Sequence, residues 1–82
     1  MSKLQTSLDR LRSELQHLES GDAATRQHIE QLLTEIESHV AGAGDARRRG
    51  TVMANISDAI RRFEVEHPKV TAYLGEIAAA LG

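Results

Sequence analysis

The residues best suited to chemistry are the histidines and the carboxylates spaced near them. Glu14 and His17 stand three positions apart, and so do Glu64 and His67. Two such Glu-x-x-His pairs, with two further carboxylates, build the di-iron site of some four-helix bundles, where every ligand points inward. The spacing here argues for a solvated surface instead. At about 100° per residue, His17 falls about 140° from the centre of the leucine stripe around it, nearly opposite any core. His67 precedes Pro68, and the residue before a proline disfavours the helical conformation, so it sits at a break.

His28, Glu35 and His39 share one flank of a second helical pattern. Zinc needs three or four ligands converging on one point. His28 and His39 are three turns apart, roughly 16 Å along a helix, and cannot share an ion within one chain. Glu35 and His39 read as a surface pair at i,i+4. Arg47, Arg48 and Arg49, with Arg61 and Arg62, are the groups that could touch phosphate. The chain has one Phe, one Tyr and no Trp, and acidic residues outnumber basic ones, 12 to 10. Stacking groups are scarce and a basic excess is missing, so the arginine run reads as a charged, solvated linker. The absence of cysteine excludes disulfides, thiolate zinc and a cysteine nucleophile. With no Gly-rich phosphate loop and no supported Ser/His/Asp set, the expectation is a protein that is not an enzyme and has no catalytic, cofactor-binding or metal residues.

The elements that would position these groups are helices. Leu4, Leu8, Leu11, Leu15 and Leu18 alternate spacings of four and three, an unbroken heptad-type stripe. Ser2 and Gln5 can form a capping box before it, and Gly21 supplies a stop. Asp22 is a candidate N-cap for a second helix with Ile29, Leu32, Leu33, Ile36 and Val40 on its face. Glycines at 42, 44 and 50 bracket the arginine run and predict a flexible linker at about 42–50, although Arg47–Arg49 could extend the following helix backwards. Val52, Ile56, Ala59, Ile60 and Phe63 form a third stripe. Pro68 ends that helix and opens the next, since proline is welcome at a first helical position. Val70, Leu74, Ile77 and Leu81 form the fourth stripe, where Gly75 and Ala78–Ala80 would permit close helix approach.

The reading is all-α: four short amphipathic helices, at about 3–20, 22–41, 51–66 and 68–81, arranged as helical hairpins in a single domain over 1–82. No stretch approaches the roughly 18 apolar residues of a membrane span, and Met1–Thr6 has no leader-like apolar run. A cytoplasmic protein is expected.

The segment Arg62-Phe63-Glu64-Val65-Glu66-His67-Pro68-Lys69-Val70-Thr71 resembles the Phe-Glu-x-x-His-Pro-x-Leu-Thr signature of a small bacterial family, domain of unknown function 4404. Val70 stands where the signature has Leu. The resemblance marks Phe63, His67 and Pro68 as a helix-break motif, with His67 able to cap the fourth helix. It implies a helical fold and no assigned activity.

Aliphatic side chains this few hold 82 residues only marginally. A stripe of alternating fours and threes stays in register with a like partner along its whole length. The expected partner is therefore a second copy, as a dimer or a dimer of dimers, with Leu4, Leu8, Leu11, Leu15 and Leu18 at the seam. The alternative is that the other helices of the same chain cover the stripe. A further unknown protein is a possible partner. Nucleic acid through the five arginines is the rival reading.

Overall fold

The computed structural model describes residues 3–18, 20–42 and 46–81. Among them are four α-helices and no strand: α1 (Lys3–Gln16), α2 (Ala23–Ala41), α3 (Ala46–Phe63) and α4 (Pro68–Leu81), with one 3-10 turn at Ser20–Asp22. Each helix packs on its neighbours in sequence, and α4 closes the ring against α1. The α1–α4 interface is the most extensive and the α1–α2 interface the least. Cross-links fix the directions. Arg12 pairs with Glu37 and Arg26 reaches Leu15, so α1 and α2 run antiparallel. Arg48 bonds Ser38 and His28 meets Phe63 edge-on, so α2 and α3 do too. None of the described helices is long and apolar enough to cross a membrane.

The four predicted stripes meet in one core, except that Val40, read as part of the second stripe, is exposed near the end of α2, where His39 is buried instead. The core contains Leu8, Leu11 and Leu15 of α1, Ile29, Leu32, Leu33 and Ile36 of α2, Val52, Ile56 and Ala59 of α3, and Val70, Leu74 and Ile77 of α4. Leu4 and Leu18 pack against it, partly buried. The leucine stripe expected at a seam between copies is therefore covered by the chain's own helices. Four amphipathic helices bury all their stripes at once by closing a ring, and this removes the apolar reason for a second copy at that place. Ser7, at the edge of the stripe, is buried as well, and its hydroxyl donates to Glu76 Oε1 at 3.1 Å.

Several boundaries differ from those read in the sequence. Helix α1 stops at Gln16 rather than near 20. The Arg26 guanidinium donates to the carbonyls of Leu15 (3.2 Å) and Leu18, satisfying acceptors that a longer helix would have used. Helix α3 starts at Ala46, so Ala46–Gly50 are helical where a linker was expected, and residues 43–45 lie outside the described ones. Alanine and three arginines are strong helix formers and outweigh the roughly 1 kcal/mol that Gly50 costs. The same helix ends at Phe63 rather than 66. His67 N–H donates to the Phe63 carbonyl at 2.8 Å, closing the turn before Pro68. Asp22 precedes α2 but makes no side-chain capping bond. The capping box involves Ser2, outside the described residues.

Gly75 is not a close-approach residue. A Cβ placed there, or at Gly50, would meet nothing within 4 Å. Both lie inside helices, where glycine is weaker than alanine by about 0.5–1 kcal/mol. Gly75→Ala and Gly50→Ala should each raise stability by that amount in chemical denaturation. A loss at Gly75 would mean that α4 is more tightly apposed than this packing.

Candidate functional site

Three features gather polar side chains. The first is the end of the bundle where α1 finishes and α4 begins. Phe63, the last residue of α3, is flanked by two imidazoles. Its ring centroid lies 5.4 Å from that of His28 on α2, edge-on, and 6.3 Å from that of His67, also edge-on. Such pairs are worth about 0.5–1.5 kcal/mol beyond burial. His67 continues the chain of contacts toward the α1–α2 turn. Its Nε2 is buried, has no hydrogen-bond partner, and lies 3.8 Å from Asp22 Oδ1. That distance is too long for a hydrogen bond. His67 caps α4 with its backbone, the carbonyl accepting from Thr71 N–H at 3.1 Å. The expected ring-to-amide cap is replaced by this contact, because the ring turns toward Asp22 rather than toward the first amides of α4. Phe63, His67 and Pro68 thus tie the α3–α4 turn to the start of α2.

The second feature is a groove of about 570 Å³ along the sparse α1–α2 interface, with Leu15 and Leu33 on its floor. Two arginines bridge it. Arg12 of α1 pairs with Glu37 of α2, and Arg26 of α2 holds the last carbonyls of α1. The groove's guanidinium groups are thus engaged in holding two helices together. Arg12, Arg26 and Glu37 were not singled out by spacing, because their pairing depends on two helices meeting antiparallel. The i,i+11 separation of Arg26 from Leu15 across a turn was the only signal available.

The third feature is the solvent face of α3. Arg47, Arg48, Arg49, Arg61 and Arg62 are all exposed. Arg48 donates to Ser38 Oγ at 2.9 Å.

The other histidines and carboxylates are dispersed. His17 is exposed, with Nδ1 donating to the Ser13 carbonyl at 2.9 Å. Glu64 is exposed and Glu14 half-buried. Glu35 does not pair with His39; it accepts from Asn55 Nδ2 at 3.0 Å. His39 is buried, against its expected place on the surface, and its Nδ1 has no partner. The α2 flank that carries it packs against α3, which a single helix pattern does not reveal. Among the described residues no three His, Cys, Asp or Glu side chains are grouped to hold a metal ion. A buried polar atom without a partner costs about 1–3 kcal/mol. His39→Leu should therefore stabilise the fold by about 1 kcal/mol in equilibrium unfolding, and a destabilised variant would show that the ring holds a bond of its own.

The family model described as "Domain of unknown function (DUF4404)" matches residues 4–82. The chain belongs to this family. The match spans all four helices of the DUF4404 fold as it stands here, including both the Phe63–Pro68 turn and the arginine-rich start of α3. No curated protein and no solved structure matches the chain.

Proposed function

We propose that this DUF4404 protein is a non-enzymatic helical interaction module that works through its outer surface. The observation that supports this is the start of α3. Arg47, Arg48 and Arg49 occupy its first turn, which holds no acidic residue. A helix N-terminus carries partial positive charge, so each cation there costs about 0.3–1 kcal/mol. Asp45 precedes them in sequence, one acid against three bases. Arg48 is repaid by its bond to Ser38 Oγ; Arg47 and Arg49 break the local rule, and such residues are the ones expected to serve a partner.

Self-association, as a dimer or a dimer of dimers, is part of this reading. Since the chain's own helices bury the leucine stripe, copies use it only by exchanging α1, which would part its small interface with α2 and re-form its extensive interface with α4 on the other copy. Sedimentation of the full chain from low to high micromolar concentration tests this. A single monomeric species throughout would remove self-association from the proposal.

Exposure of Arg47–Arg49, Arg61 and Arg62 favours a second reading, weak binding of nucleic acid. A gel-shift titration at low and moderate salt separates the two. Salt-sensitive retardation, abolished when the arginines become alanine, would support the second. No retardation at low salt would leave the first.

A further inference from the structure

We infer that the solvent face of α3, from Arg47 to Arg61, docks an acidic helix of another protein. This rests on the interaction-module reading and names the partner's chemistry.

The inference starts from what the surface does not offer. Among the described residues only Val40 and Val65 are large, hydrophobic and exposed, and they lie at opposite ends of the bundle. An apolar seam is not available while the bundle is closed. What is concentrated is charge. Helix α3 holds five of the ten basic residues and one of the twelve acidic ones, leaving the rest of the chain five basic against eleven acidic. An anionic partner meets attraction on α3 and repulsion elsewhere, which orients it before contact.

The face has a definite shape. Arg47 and Arg61 are fourteen positions apart, which is about 21 Å at 1.5 Å per residue and within about 40° in direction. Between them lie Gly50 and Ala54, both exposed. A Cβ at Gly50 would meet nothing within 4 Å, so the middle of the face is a shallow saddle. The side chains of Arg47, Arg49, Arg61 and Arg62 make no hydrogen bond or ion pair with other described residues, so their guanidinium groups are available for bidentate carboxylate contacts.

Two alternative occupants fit this pattern poorly. A second copy using the same face would set Arg47 against Arg61 twice if antiparallel, and each arginine against itself if parallel. A nucleic acid would run continuous negative charge over Asp58, which is exposed on the saddle between Ala54 and Arg61. The face reads positive, small, negative, positive. Its complement is a helix with carboxylates about fourteen residues apart and a lysine between them.

The test uses the full chain and a fluorescent, alanine-based helical peptide with that pattern of glutamates and lysine. Two comparators are used: a peptide of identical composition with the charges moved to opposite faces, and a duplex DNA of about 20 base pairs. Anisotropy titrations are run at about 50 and 200 mM salt, with circular dichroism confirming that each variant is folded. The patterned peptide should bind at least about tenfold more tightly than its rearranged comparator at low salt. Arg47→Gln with Arg61→Gln should lose about tenfold or more. Asp58→Lys should weaken the peptide and strengthen the duplex. Equal binding of both peptides, tighter binding of the duplex by the unaltered chain, or no peptide binding at all would overturn the inference. Sedimentation of the same samples keeps the two proposals apart: a chain that self-associates yet ignores the peptide retains the module reading and loses this docking face.

Discussion

Leu11→Asp should unfold the chain at every protein concentration. Leu11 has no exposed surface and lies among buried leucines and isoleucines of all four helices. An isolated carboxylate in such a place costs far more than the whole stability of a small domain, and in practice the site floods or the fold opens. For 82 residues, stability of about 0.05–0.15 kcal/mol per residue gives only about 4–12 kcal/mol to lose. A stripe lying between subunits would release monomers on the same substitution or unfold with it, so folded monomers are the outcome that only the seam reading expects. Circular dichroism and sedimentation on one sample separate the two: loss of helix signal together with a non-compact species supports the closed bundle. A helical, compact monomer would mean that Leu11 faces solvent when copies part. Val65→Asp serves as the control. Val65 is 87% exposed, and a substitution there should change stability by no more than about 0.5 kcal/mol.

The leucine stripe shows where sequence reasoning reaches its limit. Its period establishes that α1 is amphipathic and which face is apolar. It does not say what covers that face, since a second copy and α4 of the same chain satisfy the pattern equally well. In this structure the fourth helix covers it, because its own stripe of Val70, Leu74 and Ile77 needs a surface and finds α1 as well as α3. The helix count, the four faces and the break at Pro68 were legible for the same reason: each is a local pattern of side-chain size and backbone restriction. Boundaries were less legible. The end of α1 depends on Arg26, eleven residues beyond Leu15, and the start of α3 on a balance between good helix formers and glycines.

The candidate site divides in the same way. Phe63, His67 and Pro68 stood out as a motif, and the structure places all three at one turn. Their contacts with His28 and Asp22 come from the antiparallel return of α2 and of the 3-10 turn. No spacing within either helix encodes that meeting. His39 was read as a surface residue from its polar neighbour Glu35. Its burial follows from the approach of α3 on that flank, where Asn55 takes Glu35 instead. The arginines were visible as a run, but that Arg47 and Arg61 share one helical face, with Asp58 between them, required the helix to begin at Ala46.

Helix α4 joins the two most extensive interfaces of the ring, with α1 on one side and α3 on the other. Leu74→Ala therefore should be among the most damaging conservative truncations. Leu74 has no exposed surface and sits mid-helix, where the surrounding side chains cannot collapse without shifting both neighbours. Leu-to-Ala changes in such cores cost about 2–5 kcal/mol, the larger values where the cavity stays open. Leu4→Ala provides the comparison: Leu4 is only partly buried, near the start of α1, where the end of the helix can adjust, and about 1 kcal/mol is expected. For a domain of this size each kcal/mol shifts the melting temperature by about 4–8 °C, so the two variants should differ by at least several degrees. Thermal unfolding followed by circular dichroism, with urea titrations for free energies, gives the ranking. If Leu4→Ala cost as much as Leu74→Ala, the α1–α4 and α3–α4 contacts would not be the centre of the fold. The stability of the chain would then have to come from the α1 stripe alone, as it would if that stripe were covered by another copy.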